Sequence, residues 1–485
     1  MQVRMTAKIF GVLLLFFSFS MLTPLIVSYY YHEHNQLPFI IAFIICFGSG
    51  IFLWFPNRHC QEELKTRSGF LIVFLTWTLS CCFGAIPFLL SYEPHLPFTR
   101  AFFEAVSDLT TVGATTITDL DALPKSILYY RQQLQFLGGM GVVVLAIAVM
   151  PLIGLGGMQL FKAETTGPSK ETKITPRITE TAKALWLIYL GLNIICAFLY
   201  WLFGMTPFDA ICYAFSTVAT GGAAPHDAGI AYYPHISIYL ICMIFMLFGG
   251  INFTLHYLAL YQRDFKVYWR NPESRAYLLW LSLIGILAAL ILSVHNYAQG
   301  NSVQILINSW FQVISFGTTT GYVTDSNFSN WPGIMPLLLV LLGVIGGCSG
   351  STSGGIKIIR VLMVLKQIAR EIKQLVHPQG VFTMRLGDQI INPKIAHTVF
   401  AFLAAYTGIF VLLWLALSAS GIPIAVAFFA LASCLSNVGT GLGAVAYNFS
   451  SFHGGSLWIL ASAMLIGRLD IFTVLILLSP VFWRR

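Results

Sequence analysis

Charge is scarce in this chain: only 9 % of its 485 residues are Asp, Glu, Lys or Arg, against 57 % that are hydrophobic. A soluble domain carries about 25 % charged residues, and a water-facing surface cannot be covered with so few. Most of the surface therefore faces lipid, in keeping with a mean hydropathy of +0.77. Sites for covalent chemistry are also lacking. The nine cysteines include no pair at metal-ligand spacing and lie almost all in apolar runs, so they are read as small hydrophobes with no disulfide framework. A membrane enzyme would need converging acid/base or metal groups, and no such cluster is visible. One stretch, "GVIGGCSGSTSGGIKIIR" from Gly343 to Arg360, looks like a phosphate-binding loop. Such a loop needs Lys and then Ser or Thr straight after its last glycine; here Gly355 is followed by Ile356, which excludes the nucleotide reading.

What the chain does have is apolar runs near the ~20 residues needed to cross a bilayer. They fall at 8–30, 38–56, 69–92, 126–160, 183–204, 234–261, 276–296, 333–364, 396–420 and 453–482, about ten spans in all. The first follows Arg4 and Lys8 but is longer than a signal-peptide core and has no evident small-residue cleavage site, so it reads as a retained helix. The net charge of +8 is not a nucleic-acid signature. Basic residues gather at Arg4–Lys8, Arg58–Arg67, Lys162–Lys183, Arg263–Arg275, Lys357–Lys394 and Arg484–Arg485, always at or beyond a span end on one side. Both termini are then expected to be cytoplasmic.

A repeat organises the rest. Four times a serine stands six residues before a glycine: Ser107/Gly113, Ser216/Gly222, Ser315/Gly321 and Ser433/Gly439. Before each serine runs an apolar segment too short to cross the membrane; after each glycine comes a polar stretch and then a long span. The expected fold is thus an all-α polytopic membrane protein: two N-terminal helices (1–66) and four span–half-helix–span units at 67–165, 166–265, 266–390 and 391–485. Glycines that serve only close helix packing would sit inside the spans; these sit between them. Extended backbone at membrane depth is tolerated only where it is buried in protein or lines a water-filled cavity. Four such segments can form a ring of carbonyl oxygens that replaces the hydration shell of a monovalent cation. The half-helices would aim their negative C-terminal ends at the same axis. Asp108, Asp119 and Asp121 either add negative potential at the mouth or are solvated loop residues.

These residues resemble the membrane subunits of Trk-type potassium uptake systems, the TrkH/TrkG group of the wider Trk/Ktr/HKT superfamily, over essentially the whole chain. The resemblance implies a potassium-channel-like fold made from one chain, in a bacterial inner membrane. It places a potassium filter at Thr110, Thr111, Val112 and Gly113; Ala219, Thr220, Gly221 and Gly222; Thr318, Thr319, Thr320 and Gly321; and Ser436, Asn437, Val438 and Gly439. Backbone carbonyls there would hold the transported K+, with no organic cofactor. It also implies a cytosolic, TrkA-like ring of nucleotide-binding regulatory subunits and a homodimer. Potassium-channel filters have four near-identical loops; here the copies read TVG, TGG, TTG and NVG. Fewer well-formed ion sites and looser discrimination against sodium are expected.

Two features break the symmetry. The spans after the segments place Gly139, Gly250, Gly347 and Arg468 at equivalent positions. A charge inside a span is costly and a functional candidate. Pairing with Asp470 within one helix is disfavoured, since residues two apart do not face each other. By resemblance Arg468 belongs to the permeation barrier. The third copy runs into the loop Gly346, Gly347, Cys348, Ser349, Gly350, Ser351, Thr352, Ser353, Gly354, Gly355, where so many glycines should break a helix. A flexible mid-membrane loop or a simple kink would each fit, and the resemblance makes 346–356 the gate. The basic amphipathic stretch after it suits an anionic lipid surface or a docking partner. Symport coupled to protons or sodium is the alternative, with Glu104, Asp209 and Asp470 as relay candidates and His256 as a packed residue.

Overall fold

The computed structural model describes residues 3–60, 66–141, 178–295, 302–325, 327–387, 389–391 and 393–484. The later part of the expected 126–160 span and the Lys162–Arg177 basic group lie outside them.

The chain opens with α1 (Val3–Phe19), α2 (Leu22–Tyr30) and α3 (Gln36–Trp54). Gly11 and Gly50 bring α1 and α3 into contact: a Cβ on Gly11 would lie 2.8 Å from the Gly50 carbonyl. This is the small-residue packing by which helices associate in lipid, where hydrophobicity alone gives no drive.

Four units follow, each a leading helix, a half-helix and a trailing helix. The leading helices are α4 (Thr66–Gly84), α7 (Ile178–Leu202), α11 (Pro272–Val294) and α15 (Pro393–Ala419). The half-helices are α5 (Phe98–Leu109), α8 (Pro207–Val218), α12 (Ser302–Gly317) and α16 (Ile424–Leu435), and the trailing helices α6 (Lys125–Gly139), α9 (Ile236–Gly250), α13 (Met335–Ile345) and α17 (Gly454–Leu469). Beyond the trailing helices lie α10 (Phe253–Gln262), α14 (Ile358–Val376) and α18 (Ile471–Leu478). A two-residue antiparallel ladder, Arg385–Leu386 with Gln389–Ile390, is the only strand pairing among the described residues.

Local sequence starts these helices. Thr206 caps α8, its hydroxyl accepting from Asp209 N with Pro207 at the first turn, and Asn271 caps α11 by accepting from Glu273 N and Ser274 N. Pro97 and Pro423 stand at the N-caps of α5 and α16. A 12-residue half-helix such as α5 rises about 18 Å, well short of the ~30 Å hydrocarbon core. Its residues Ala101–Leu109 are all buried. The leading helices instead keep apolar faces open, with Leu187, Ile194, Ile195 and Phe198 on α7 and Leu279, Leu283, Ile286 and Leu290 on α11. In water these faces would be unstable; against acyl chains they are solvated.

Among the described residues six helices are long and apolar enough to cross a membrane, or eight if two bent pairs count as spans. The bends are 99° between α9 and α10 and 108° between α17 and α18. The second turns on Asp470, whose φ of 63° ends the helix.

Candidate functional site

The segments after the half-helices share one backbone design. In each, the carbonyl of the repeated serine accepts from an amide five residues on: Val112 N to Ser107 O at 2.8 Å, Gly221 N to Ser216 O at 2.9 Å, Thr320 N to Ser315 O at 2.8 Å and Val438 N to Ser433 O at 2.9 Å. This satisfies a helix-end carbonyl in the manner of a Schellman closure and turns the chain out of the helix. The glycine that follows has φ +77° at Gly113, +72° at Gly222, +80° at Gly321 and +82° at Gly439. Two residues earlier the sign is again positive, at Thr111 (57°), Thr220 (52°), Thr319 (57°) and Asn437 (56°). For a β-branched threonine this is a true outlier, and such strain concentrates at functional sites.

The four glycines close a ring. A Cβ on Gly113 would lie 2.1 Å from the Gly221 carbonyl oxygen, one on Gly222 1.9 Å from that of Thr320, one on Gly321 2.0 Å from that of Val438, and one on Gly439 1.9 Å from that of Val112. Each segment thus abuts the next, and the last abuts the first. Only glycine permits this approach. The sixteen predicted residues are therefore brought together. Thr110, Thr111, Val112, Ala219, Thr220, Thr318, Thr319, Thr320, Ser436, Asn437 and Val438 are all buried. Hydroxyls and amides tie the wall in place, Thr110 Oγ1 to Val106 O (2.6 Å), Asn437 Nδ2 to Met464 O (3.2 Å), and Thr440 Oγ1 to Gly321 O (2.6 Å).

On one side of this ring lies the Gly/Ser loop. Read as flexible from its composition, it is pinned at many points. Cys348 N donates to Gly250 O (2.9 Å), Ser349 N to Glu273 Oε1 (2.6 Å), and Phe253 N to Gly350 O (3.0 Å). Ser351 Oγ returns to Cys348 O (2.6 Å), and Lys357 Nζ donates to Ser353 O. Thr352 reaches the second segment, its Oγ1 3.1 Å from Thr220 Oγ1, and Gly354 N donates to Thr319 Oγ1 of the third at 2.7 Å. A Cβ on Gly354 would meet the fourth, 2.3 Å from Ser436 O and 2.7 Å from Asn437 Cβ. Gly346 and Gly355, with φ +72° and +77°, pack on each other where α13 ends, and Gly347 lies against Gly250 O.

Arg468, on α17, completes this layer. Nη1 donates to Thr352 O (2.8 Å), and Nη2 to Gly138 O (2.5 Å) and Gly139 O (3.2 Å) at the end of α6. The guanidinium carbon lies 5.6 Å from the Trp77 ring centroid. At the aligned places in the first two repeats, Gly139 and Gly250 admit the hydroxyls of Tyr189 and Tyr277. Gly347, aligned with them in sequence, falls beyond the end of α13 at Ile345, so no helical counterpart exists there. Asp470 pairs across the fold with Arg360 of α14 at 2.6 Å.

The remaining acidic candidates are held by neighbours. Glu104 accepts from Thr115 and Thr116 and lies 3.5 Å from Arg131. Asp209 accepts from Thr206 Oγ1 (2.7 Å) and Tyr233 OH (2.6 Å). Asp121 stands 2.5 Å from His226 Nδ1, while the His226 Nε2 is 3.4 Å from Asp209. Burial would lower the His226 pKa, but its hydrogen bonds to Asp209 and Asp121 raise it above the ordinary value. Asp121 is opposed by burial too and is held below the carboxylate range by His226 and the Asp227 amide. Asp119 is exposed and left-handed at φ 63°. His256 is buried, with Tyr268 OH and Phe248 O each 2.9 Å from its ring nitrogens.

Fold and site together define an all-α polytopic membrane protein with a potassium-channel-like core, four pseudo-symmetric repeats in one chain around a closed backbone ring. Residues 35–484 match the family described as "TrkH: Cation transport protein", and the chain belongs to that family. It is 46 % identical to the Trk system potassium uptake protein TrkH of Vibrio parahaemolyticus over the full length of both chains. It is also 37 % identical to TrkG of Escherichia coli, covering 100 % of this chain and 99 % of that protein. The crystal structure of the potassium transporter TrkH from Vibrio parahaemolyticus superposes with a TM-score of 0.91 at 45 % identity, covering all of both chains.

Proposed function

We propose that this chain conducts potassium into the bacterial cytoplasm across the inner membrane, through the ring formed at Gly113, Gly222, Gly321 and Gly439. The supporting observation is the cyclic glycine-to-carbonyl packing: four backbones contributed by separate repeats abut one another, each ring glycine against a main-chain carbonyl of the next segment. Oxygen dipoles held so replace water around an alkali ion without supplying a fixed charge that would trap it. The repeats are assigned to 67–165, 166–265, 266–390 and 391–485. The loop 346–356 with Arg468 is the barrier on the cytoplasmic side of the ring. Its contacts with Thr220, Thr319 and the fourth segment obstruct the path, and the guanidinium opposes a cation. The basic face of α14, joined to Asp470 through Arg360, is where a cytosolic nucleotide-binding ring would act on the loop, and a homodimer is the assembly expected.

Symport is less well supported. A relay needs carboxylates free to exchange protons along a path, whereas Glu104, Asp209 and Asp470 are each committed to a structural partner. The deciding experiment is potassium flux into liposomes holding the purified protein, with sodium as competitor and with and without a proton gradient. Potassium-preferring flux that ignores the gradient is expected. Flux that stops without the gradient would establish symport, and no flux of any monovalent cation would overturn the assignment.

A further inference from the structure

The second segment of the ring has an anomaly. Where the other three carry Val112, Thr320 and Val438 just before the ring glycine, it carries Gly221. Two consecutive glycines, Gly221 and Gly222, make this the segment with the most backbone freedom to lose. Yet the space behind Gly221 is full. A Cβ there would lie 2.4 Å from Oε1 and 2.6 Å from Cδ of Gln135, a residue of α6 in the first repeat. Gln135 occupies the volume that a side chain on Gly221 would take.

Its amide also bonds the ring. Nε2 donates to the Gly221 carbonyl at 3.1 Å and to Asp108 Oδ1 at 3.3 Å. A backbone carbonyl only accepts, so the Gly221 oxygen takes the amide nitrogen, and Asp108 Oδ1 on the same nitrogen fixes that orientation. Asp108 is held in turn: its Oδ2 is 3.6 Å from Arg131 Nε, and Arg131 Nη2 is 3.5 Å from Glu104 Oε2. Glu104 accepts from Thr116 N (2.5 Å) and Thr116 Oγ1 (2.8 Å), just beyond Gly113 of the first segment. Glu104, Asp108, Arg131 and Gln135 are all fully buried or nearly so. At the matching places the other trailing helices carry Met246, Gly343 and Met464 in place of Gln135, and the other half-helices carry Thr217, Phe316 and Cys434 in place of Asp108. This polar chain belongs to the first repeat alone.

Resting on the filter reading above, we infer that Gln135 is a specificity-setting positioning residue: it clamps the Gly221 carbonyl in register with the ring, and Asp108, Arg131 and Glu104 hold the clamp. It acts through Gly221 and touches no ion.

The test compares potassium, rubidium and sodium flux in liposomes for the wild type, Gln135→Met, Asp108→Asn, Gly221→Ala and the double variant Gly221→Ala/Gln135→Ala. Gln135→Met keeps the bulk and copies the residue of two other repeats, but cannot donate. Its preference for potassium over sodium is expected to fall about fivefold to tenfold, the weight of one ordinary hydrogen bond, with total flux of the same order. Asp108→Asn lets the Gln135 amide turn and is expected to give a smaller loss. Gly221→Ala collides with Gln135 and loses flux, while the double variant, in which the new methyl fills the emptied space, regains it. An unchanged preference in Gln135→Met would overturn the clamp, as would a double variant no better than Gly221→Ala. A wild type without selective flux would instead remove the filter reading itself.

Discussion

Gly439→Ala is the sharpest perturbation of the ring. The added Cβ would stand 1.9 Å from the Val112 carbonyl oxygen, whereas real Cβ contacts are essentially never under 3.0 Å, so the fourth and first segments must separate by about 1 Å. Neither partner can yield as a flexible side chain would, because both atoms belong to backbones fixed by helix-end hydrogen bonds. Alanine at φ +82° carries a further penalty of about 1–2 kcal/mol. Since about 1.4 kcal/mol is a factor of ten, cation flux per inserted protein is expected to fall at least about tenfold. Gly113, Gly222 and Gly321 face distances of 2.1, 1.9 and 2.0 Å, so alanine at any of them should do comparable harm. Gly191 in α7 and Gly408 in α15 are the controls: nothing lies within 4 Å of a Cβ on either, and neither has a positive φ. Alanine there should leave flux intact and raise thermal stability slightly, as helix propensity predicts. The assay is potassium uptake by proteoliposomes at matched protein content. If Gly439→Ala conducts like Gly191→Ala, the four segments do not form the conduction path and the ring is only a packing device.

Two further outcomes follow from the same geometry. Arg468→Ala removes three hydrogen bonds that join the loop at Thr352 to α6, and with them a positive charge below the ring; basal cation leak should rise severalfold, and unchanged leak would dismiss the barrier role. Arg468→Lys should recover the charge but not the three-carbonyl grip, placing its leak between the two. Just beyond the second ring segment, the raised His226 pKa means that its clamp on Asp121 and Asp209 stabilises fully below the unfolded-state value near 6.5 and is lost as pH rises through the elevated folded value. The lowered Asp121 pKa works in the other direction, its contribution disappearing only as the pH drops into the acidic range. Wild type should therefore melt above His226→Gln at pH 6, with the difference shrinking toward pH 9; a pH-independent difference would show that the clamp does not titrate. Tyr232, stacked 3.6 Å from the His226 ring, Tyr233 and Asp227 also face the cluster and should be held constant in that comparison.

The ring was legible because its determinants are local and repeated. A serine, a glycine and the length of the preceding helix recur in register, and the structure gives each the same part. The serine acts through its main chain, its carbonyl accepting the turn's amide. The left-handed conformation of Thr111, Thr220 and Thr319 was not legible, since nothing local favours it in a β-branched residue; the surrounding ring imposes it. Glycine content marks the loop at 346–355 as a helix breaker, but its anchoring depends on Glu273, Asn252 and Gly250, which are remote in sequence. Asp470 likewise finds its partner in Arg360, where sequence spacing could only argue against Arg468. Gln135 left one trace: a polar residue on a trailing helix where two other repeats carry methionine and the third glycine.

A ring made by four identical subunits must repeat every feature four times. Here the backbone closure is fourfold, but each supporting device occurs once: the buried Glu104–Arg131–Asp108–Gln135 chain in the first repeat, the Gly/Ser loop in the third, the arginine in the fourth. These devices converge, since the loop touches segments two, three and four while Arg468 bridges it to the first repeat. A layer tied to all four repeats would, on the proposed barrier reading, respond to movement in any one of them; α14 continues directly from the loop, and α10, bonded to it through Phe253 N and Gly350 O, runs into the basic residues Arg263–Arg275. Fusion of the repeats into one chain thus separates what the ring does, which requires symmetry, from how it is closed, which requires its absence.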